Sequence, residues 1–152
     1  MTEPTYRQAT PTDHHAIVAM LVELVDELGT TDNPSHLKEL LVEDIRVALS
    51  APSVCIFLAE VAGEPVGLGR ADVLVHDPIF RLREDHRCGY IDQMYVRLGY
   101  RKRGLGAQLM RLCEEWFREQ GISHVLLHAA PKAVAFYSRA GYLQNREMLK
   151  RL

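Results

Sequence analysis

The feature that most constrains this chain is a short basic turn at residues 101–107, which stands between an apolar segment and a leucine-rich segment. Gly104 and Gly106 allow backbone N–H groups to approach a ligand without interference from a Cβ atom. The N-terminus of a helix adds about half a positive charge at the same place. Basic side chains add whole charges there, from Arg101, Lys102 and Arg103. The pattern predicts a strand–turn–helix unit whose turn binds an anion such as a pyrophosphate.

The spacing of the turn separates it from two familiar phosphate-binding loops. A Walker A loop needs Gly-Lys-Ser or Gly-Lys-Thr after its first glycine, and the segment that follows Gly104 contains no such triplet. A dinucleotide-binding fingerprint needs a third glycine, but this position is Leu109. From the residues alone the turn is either an anion site or a solvated basic turn that begins a helix.

The periodicity of apolar residues predicts an α/β chain with a mixed sheet and helices packed on it. Strands are predicted at residues 6–9, 54–61, 66–76, 90–97, 125–128 and 142–149, with a hairpin formed by 54–61 and 66–76. Helical spacing predicts two early helices, the first ending at Gly29 and the second running from Pro34 to Leu49. Later helices are predicted from Gly104 to Gly121 and from Pro131 to Gly141. The order is β-α-α-β-β-β-α-β-α-β, in a single domain over residues 1–152.

Composition and charge exclude several classes of protein. Apolar residues are 47% and charged residues 25% of the chain, which is the balance of a folded globular domain. The formal charge of -2 gives no overall field for nucleic acid or anionic lipid, and no apolar stretch approaches the roughly 18 residues of a membrane span. The three cysteines form no CxxC pair. Apart from His128, the histidines show no HxxxH or HExxH spacing that would place metal ligands on a helix; they are His14, His15, His36, His76, His86 and His124. We therefore expect a cytoplasmic protein with no metal, no nucleic-acid partner and no membrane partner.

Two motifs, one on each side of the predicted strand at 125–128, carry a resemblance to a known family. The first is Arg101-x-x-Gly104-x-Gly106-Ala107, ahead of a leucine-rich helix. The second is residues 133–142, which reads Ala-x-x-Phe-Tyr-x-x-x-Gly-Tyr. Both motifs, and the predicted order of elements, resemble those of the GNAT superfamily of N-acetyltransferases. The resemblance implies that the strand at 90–96 splays away from the strand at 125–128 and opens a cleft for the pantetheine arm of acetyl-CoA.

The resemblance also implies that backbone groups do much of the acetyl-CoA binding. Met94 and Val96 offer main-chain groups to the pantetheine amides, as an added strand would, and Tyr95, between them, is expected to bind the cofactor as well. The N–H of Met94 is the expected donor to the thioester oxygen. The pyrophosphate is expected at Arg101, Lys102, Arg103, Gly104, Leu105, Gly106 and Ala107. The family often has an asparagine where this sequence has Ala130, so one side-chain contact to pantetheine is expected to be missing.

Acetyl transfer to an amine requires a proton donor for the leaving thiolate and a base for the amine. Tyr137 matches the family's tyrosine near the sulfur of CoA, although its position beside Phe136 also suits a core aromatic residue. Asp92 stands where many relatives carry a glutamate, and two residues before Met94, so a regular strand would place both on one face. Asp92 is therefore the candidate base, acting through a water, or else a member of an ion pair. His128, at the end of the neighbouring strand, is the alternative base.

These observations predict an acetyl-CoA-dependent N-acetyltransferase that transfers the acetyl group to a primary amine by direct attack in a ternary complex. A small molecule is the first candidate acceptor; a peptide or protein amine and a non-catalytic acyl-CoA-binding domain are the alternatives. The acceptor site is expected in the links at residues 28–35 and 76–87, with Glu147 near it. A homodimer is expected because most oligomers are symmetric dimers.

Overall fold

The computed structural model describes residues 2–29, 35–75, 86–144 and 150–152. Within these ranges the strands are β1 (Thr5–Gln8), β2 (Val54–Val61), β3 (Glu64–Val75), β4 (Arg87–Val96) and β5 (Val125–Leu127). The helices are α1 (His14–Leu28), α2 (Leu37–Ala48), α3 (Leu105–Glu119) and α4 (Val134–Arg139). Their order along the chain is the predicted one as far as the described residues extend.

The five described strands form one mixed sheet in the order β1-β2-β3-β4-β5. Neighbouring strands are antiparallel, except that β4 and β5 are parallel. This confirms the α/β class and the predicted hairpin of β2 and β3. The pairing of β4 with β5 extends only from Gly89 with Val125 to Ile91 with Leu127, whereas β4 continues to Val96. The second half of β4 therefore has one open edge among the described residues, as expected for two strands that splay apart.

The two faces of the sheet are covered by different helices. On one face, apolar residues of α1 and α2 pack against β2, β3 and Tyr95 of β4. On the other face α3 lies close to β3, where the small residues Gly67 and Gly69 leave room for it. A Cβ atom on Gly69 would lie 3.1 Å from the sulfur of Cys113 in α3. The side chains along β4 thus face two different layers, which matters for the site.

Several element boundaries differ from the predictions, each for a local reason. β4 begins three residues early, at Arg87, because it continues the long ladder with β3 up to the pair of Arg87 and Val75. Gly104 precedes α3 instead of being its first residue. Pro131 opens a single 3-10 turn, and the α-helix begins only at Val134.

Other predicted features fall partly outside the described residues. α2 begins at Leu37, whereas its predicted start at Pro34 is outside them. Residues 145–149 of the predicted last strand also lie outside the described residues. Residues 142–144, the start of that predicted strand, are not in a strand. Among the described residues, every helix is too short or too polar to cross a membrane.

Candidate functional site

The turn before α3 presents main-chain N–H groups at the positive end of the helix. Gly104 has φ of +81°, a left-handed conformation that glycine adopts without strain, and it aims the chain into the helix. Gln108 N–H donates to Gly104 O at 3.0 Å, which is the first bond of the helical ladder. The preceding N–H groups, those of Leu105, Gly106 and Ala107, have no acceptor within the helix. The predicted role of these residues in holding a pyrophosphate rests on this geometry.

The basic side chains of the turn differ in what they contact. Arg101 Nε donates to Val96 O at 2.6 Å, and its terminal NH2 group donates to Glu27 Oε2 of α1, also at 2.6 Å. Its guanidinium lies over the ring of Tyr95, 5.5 Å from the centroid. Lys102 and Arg103 are exposed at the turn. Arg101 therefore ties the turn to α1, a contact that local sequence does not signal.

The open edge of β4 carries the main-chain groups of alternate residues. Arg97 N–H donates to Val66 O at 2.9 Å, next to the pair of Val96 and Gly67. In an antiparallel ladder, the residue pair next to a hydrogen-bonded pair forms no hydrogen bonds across the ladder. Its N–H and C=O groups point away from the partner strand. Val96, and by the same alternation Met94, thus turn their N–H and C=O groups towards the open edge, where the Val96 C=O already accepts the bond from Arg101 Nε. This is the orientation that their predicted contacts with pantetheine require.

Tyr95 lies between these two residues but points its groups elsewhere. Its main chain faces Leu68 of β3 by the same alternation. Its hydroxyl donates to Glu27 Oε1 at 2.8 Å, and its side chain is buried against α1. The prediction that Tyr95 binds the cofactor therefore rests on its position in the strand alone.

A β-bulge interrupts β4 at Asp92. Ile91 stands opposite Ala71 and Gln93 stands opposite Arg70, so Asp92 is an extra residue in the ladder. Asp92 Oδ2 lies 3.4 Å from Arg70, which contacts α2, whereas Met94 packs beside α3 on the other face. The prediction that Asp92 and Met94 share a face is wrong, because it assumed unbroken alternation along the strand.

Asp92 belongs to a group of carboxylates around a buried arginine. Arg70 is only 6% exposed; it donates to both oxygens of Asp72 at 2.8 and 2.9 Å and to Asp44 of α2 at 2.5 Å. Burial raises the pKa of Asp92, and the nearby Asp72 and Asp44 raise it further, while Arg70 opposes them. A carboxyl group whose pKa is raised is closer to the range that suits a base near neutral pH. Sequence analysis missed Arg70, Asp72 and Asp44, because no local pattern joins residues of three elements.

Tyr137 lies where the two sequence motifs meet. The position that a Cβ atom on Gly106 would take is 3.4 Å from the ring of Phe136, so α4 packs on the first turn of α3. The Tyr137 ring is half-buried between Phe136 and Tyr142, with centroids 5.1 and 5.9 Å away. Burial raises the pKa of its phenol, and Cys113 adds to the effect. The phenol is therefore protonated at neutral pH, as a proton donor must be.

The remaining predicted site residues divide between described and undescribed parts of the chain. His128 Nδ1 shares a hydrogen bond with the Tyr90 hydroxyl at 2.6 Å, just beyond the end of β5. The acceptor links fall mainly on residues 30–34 and 76–85, which are outside the described ranges, as is Glu147. No group of three or more side chains that could hold a metal ion occurs in the described part of the chain. The absence of a metal stays a prediction.

Comparison with known sequences identifies a family whose profile covers most of the chain. The acetyltransferase (GNAT) family profile matches residues 18–142. The uncharacterized protein YyaT of Bacillus subtilis (strain 168) is 30% identical over 88 residues, which are 57% of this chain and 52% of YyaT. Glucosamine 6-phosphate N-acetyltransferase 1 of Oryza sativa subsp. japonica is 29% identical over 64 residues, 42% of this chain and 39% of that protein. The matches thus span about half the length of these curated relatives, or less.

Solved structures share the fold over nearly the whole chain. An acetyltransferase predicted for Clostridium acetobutylicum, crystallised with acetyl-CoA, has a TM-score of 0.88 at 19% identity, covering 99% of this chain and 96% of its own. A GCN5-related N-acetyltransferase from Ralstonia eutropha has a TM-score of 0.87 at 24% identity, covering 99% of both chains. An aminoglycoside N-acetyltransferase in complex with CoA has a TM-score of 0.79 at 17% identity, covering 100% of this chain and 96% of its own. At these identities the likeness establishes the fold.

Proposed function

Because this chain belongs to the acetyltransferase (GNAT) family, we propose that it transfers an acetyl group from acetyl-CoA to a primary amine. The observation that carries the proposal is that the open edge of β4 is followed, after a single 3-10 turn at Leu98–Tyr100, by the turn before α3. An extended arm lying along Met94 and Val96 would bond the outward N–H and C=O of Met94 and the N–H of Val96, as an added strand does, while Arg101 keeps the Val96 C=O. Its phosphates would then reach the N–H groups at the start of α3. The described residues therefore suit both ends of acetyl-CoA.

The side chains proposed for proton transfer approach β4 from opposite faces of the sheet. Tyr137 belongs to the cluster on the α3 face, whereas Asp92 contacts Arg70 on the α1–α2 face. Acetyl-CoA supplies an activated acyl group on a thiol that leaves. Acetyl-CoA on the Tyr137 side and the amine on the Asp92 side can then meet at the splayed end of β4. This arrangement favours direct transfer in a ternary complex.

Each residue has a defined part in that transfer. The Met94 N–H donates to the carbonyl oxygen and so stabilises the charge that develops there. Asp92 accepts a proton from the amine through a water while the new C–N bond forms. The C–S bond breaks, and Tyr137 donates its phenolic proton to the departing sulfur. His128 is the alternative acceptor of the amine proton.

We infer that the acceptor is a small-molecule amine. Support comes from two proteins to which the chain is similar, which are named as acetyltransferases of aminoglycosides and of glucosamine 6-phosphate. The test is release of free CoA from acetyl-CoA with three probes, namely neamine, glucosamine 6-phosphate and a peptide with a free N-terminus. Turnover of either small molecule above the peptide is the expected result. Tight CoA binding with no turnover of any amine would instead indicate a non-catalytic acyl-CoA-binding domain.

Replacement of the candidate base provides the sharpest test of the mechanism. Asp92→Asn keeps the shape of the side chain and removes its basicity, so we expect kcat to fall about 100-fold with the KM for acetyl-CoA unchanged. Glu43→Gln is the matched control, because Glu43 is an exposed carboxylate of α2 paired with Arg46. A full rate in Asp92→Asn would transfer the role of base to His128 or to water.

A further inference from the structure

Arg70 is a buried cation that touches carboxylates from three different elements. Asp72 lies on the same strand, Asp44 on α2 and Asp92 on β4. The Arg70 side chain is 8% exposed, against 48% for Asp44 and 35% for Asp92. A buried guanidinium needs partners for its N–H groups, and Asp72 and Asp44 provide them at hydrogen-bond distance. These three bonds leave two of the five guanidinium N–H groups for other partners, and the position of Asp92 beside them calls for an explanation.

The geometry of the bulge provides that explanation. Asp92 is the extra residue of β4, so the ladder with β3 does not fix its orientation as it fixes that of Gln93 opposite Arg70. Its oxygen lies 3.4 Å from Arg70, which is an ion-pair distance longer than the bonds to Asp72. The contact attracts the Asp92 carboxylate towards Arg70, on one side of the bulge. The carboxylate oxygens remain able to accept a proton.

We propose that Arg70 is a positioning residue. It holds the Asp92 carboxylate on the α1–α2 face of the sheet, where the carboxylate accepts the proton of the amine. The inference rests on the proposed function, in which Asp92 is the base. Asp72 and Asp44 have a complementary role, because they offset the charge of Arg70 where a lone cation would make Asp92 a poor base. The charged groups that act on Asp92 are Arg70 and Asp72 of β3 and Asp44 of α2. Tyr90, two residues before Asp92 in β4, is bonded to His128.

The test is the pH profile of kcat/KM in two variants that should move it in opposite directions. Arg70→Gln removes the cation, so the acid limb should move to higher pH and kcat should fall about tenfold as Asp92 loses its fixed position. Asp44→Asn removes an exposed carboxylate, so the acid limb should move to lower pH while the fold is kept. Arg70→Lys keeps the charge and should restore part of the lost rate. The shifts of the acid limb show that both charges act on Asp92, and the fall of kcat in Arg70→Gln with its partial recovery in Arg70→Lys separates positioning from an electrostatic influence alone.

A second measurement follows Asp92 itself, without an acceptor. The carboxylate signals of the full chain are titrated by 13C NMR, and the Asp92 signal is assigned by its loss in Asp92→Asn. The Asp92 midpoint should rise in Arg70→Gln and fall in Asp44→Asn. Arg46→Gln is the control, because Arg46 is an exposed charge of α2 whose partner is Glu43, and it should move neither midpoint nor rate.

The outcomes separate this inference from the proposed function. Unchanged midpoints and an unchanged acid limb in both variants, with activity still lost in Asp92→Asn, would overturn the role of Arg70 alone. The predicted NMR shifts without turnover of any amine would support the contact between Arg70 and Asp92 and overturn the proposed function. Full activity in Asp92→Asn would overturn this inference, since Arg70 would then position no base, and would leave the proposed acetyl transfer in place with His128 or water as the base.

Discussion

The two halves of the site are built from different parts of the polypeptide. The proposed donor half consists of the open edge of β4 and the turn before α3, where main-chain groups of Met94, Val96 and the first residues of α3 face outward. The proposed proton-accepting half lies on the α1–α2 face, where Asp92 contacts the side chain of Arg70. A bulge of one residue separates the two. The donor half should therefore respond to changes in backbone conformation, and the proton-accepting half to changes in charge.

Gly104→Asp should produce the largest effect, because it changes the backbone conformation and the charge of the donor half directly. The new residue must adopt φ of +81°, and it places a negative charge at the start of α3, beside the predicted pyrophosphate. We expect the Kd for CoA, measured by isothermal titration calorimetry, to rise at least about 100-fold, equivalent to about 2.7 kcal/mol. Equal CoA affinity would show that the turn is not the phosphate site.

A control for this variant has the same strain at a distant place. Gly63 has φ of +80° in the turn between β2 and β3, and no atom lies within 4 Å of the Cβ position. Gly63→Asp should therefore destabilise the fold to a similar degree and leave CoA affinity unchanged. Gly104→Asn separates the two causes, because it keeps most of the strain without the charge; its loss of affinity should be smaller than that of Gly104→Asp.

Tyr137→Phe tests whether the Tyr137 hydroxyl contributes to catalysis beyond the packing of the ring. Removal of the hydroxyl keeps the ring beside Phe136, so we expect kcat to fall about 30-fold with CoA affinity unchanged. Burial raises the pKa of the phenol above its ordinary value of 10.0, so loss of its proton should not reduce the wild-type kcat below pH 10. The control is Tyr142→Phe, whose hydroxyl bonds Glu114 at 3.2 Å. Equal rates in both variants would assign Tyr137 to the core.

The difference between local backbone signals and contacts between distant residues also explains which parts of the fold were predictable from the sequence. The strand at residues 54–61 was predicted to the residue, because its apolar run and the turn after it are local signals. The early start of β4 at Arg87 was not, since it follows from pairing with Val75 across a long connection. The single 3-10 turn at Pro131 also escaped prediction, because proline is equally suited to the start of an α-helix.

The candidate site shows the difference more clearly. Glycines and their spacing marked the turn and Gly104, because a left-handed residue before a helix has few alternatives in sequence. The face on which Asp92 lies was predicted wrongly, because a bulge leaves no mark in the pattern of residues. Arg70 was missed for a similar reason: its partners lie on α2 and β4, and only the folded sheet brings them together. A turn marked by glycines can be predicted from local sequence, whereas the bulge and the charge cluster depend on how distant strands and helices pair and pack.

Glu27→Gln should have the smallest effect, and it tests the one described contact that crosses from the turn to α1. Glu27 accepts a bond from Arg101 at 2.6 Å, so its carboxylate offsets a positive charge beside the predicted phosphate site. Neutralising it should lower the Kd for CoA about threefold at low salt, or about 0.7 kcal/mol, and the gain should vanish at high salt. Glu23→Gln is the matched control, because Glu23 also accepts a bond from Tyr95 but is paired with Arg97 instead of Arg101. Weaker CoA binding in Glu27→Gln alone would mean that the Arg101 side chain shapes the turn, and that the donor half is not built from backbone only.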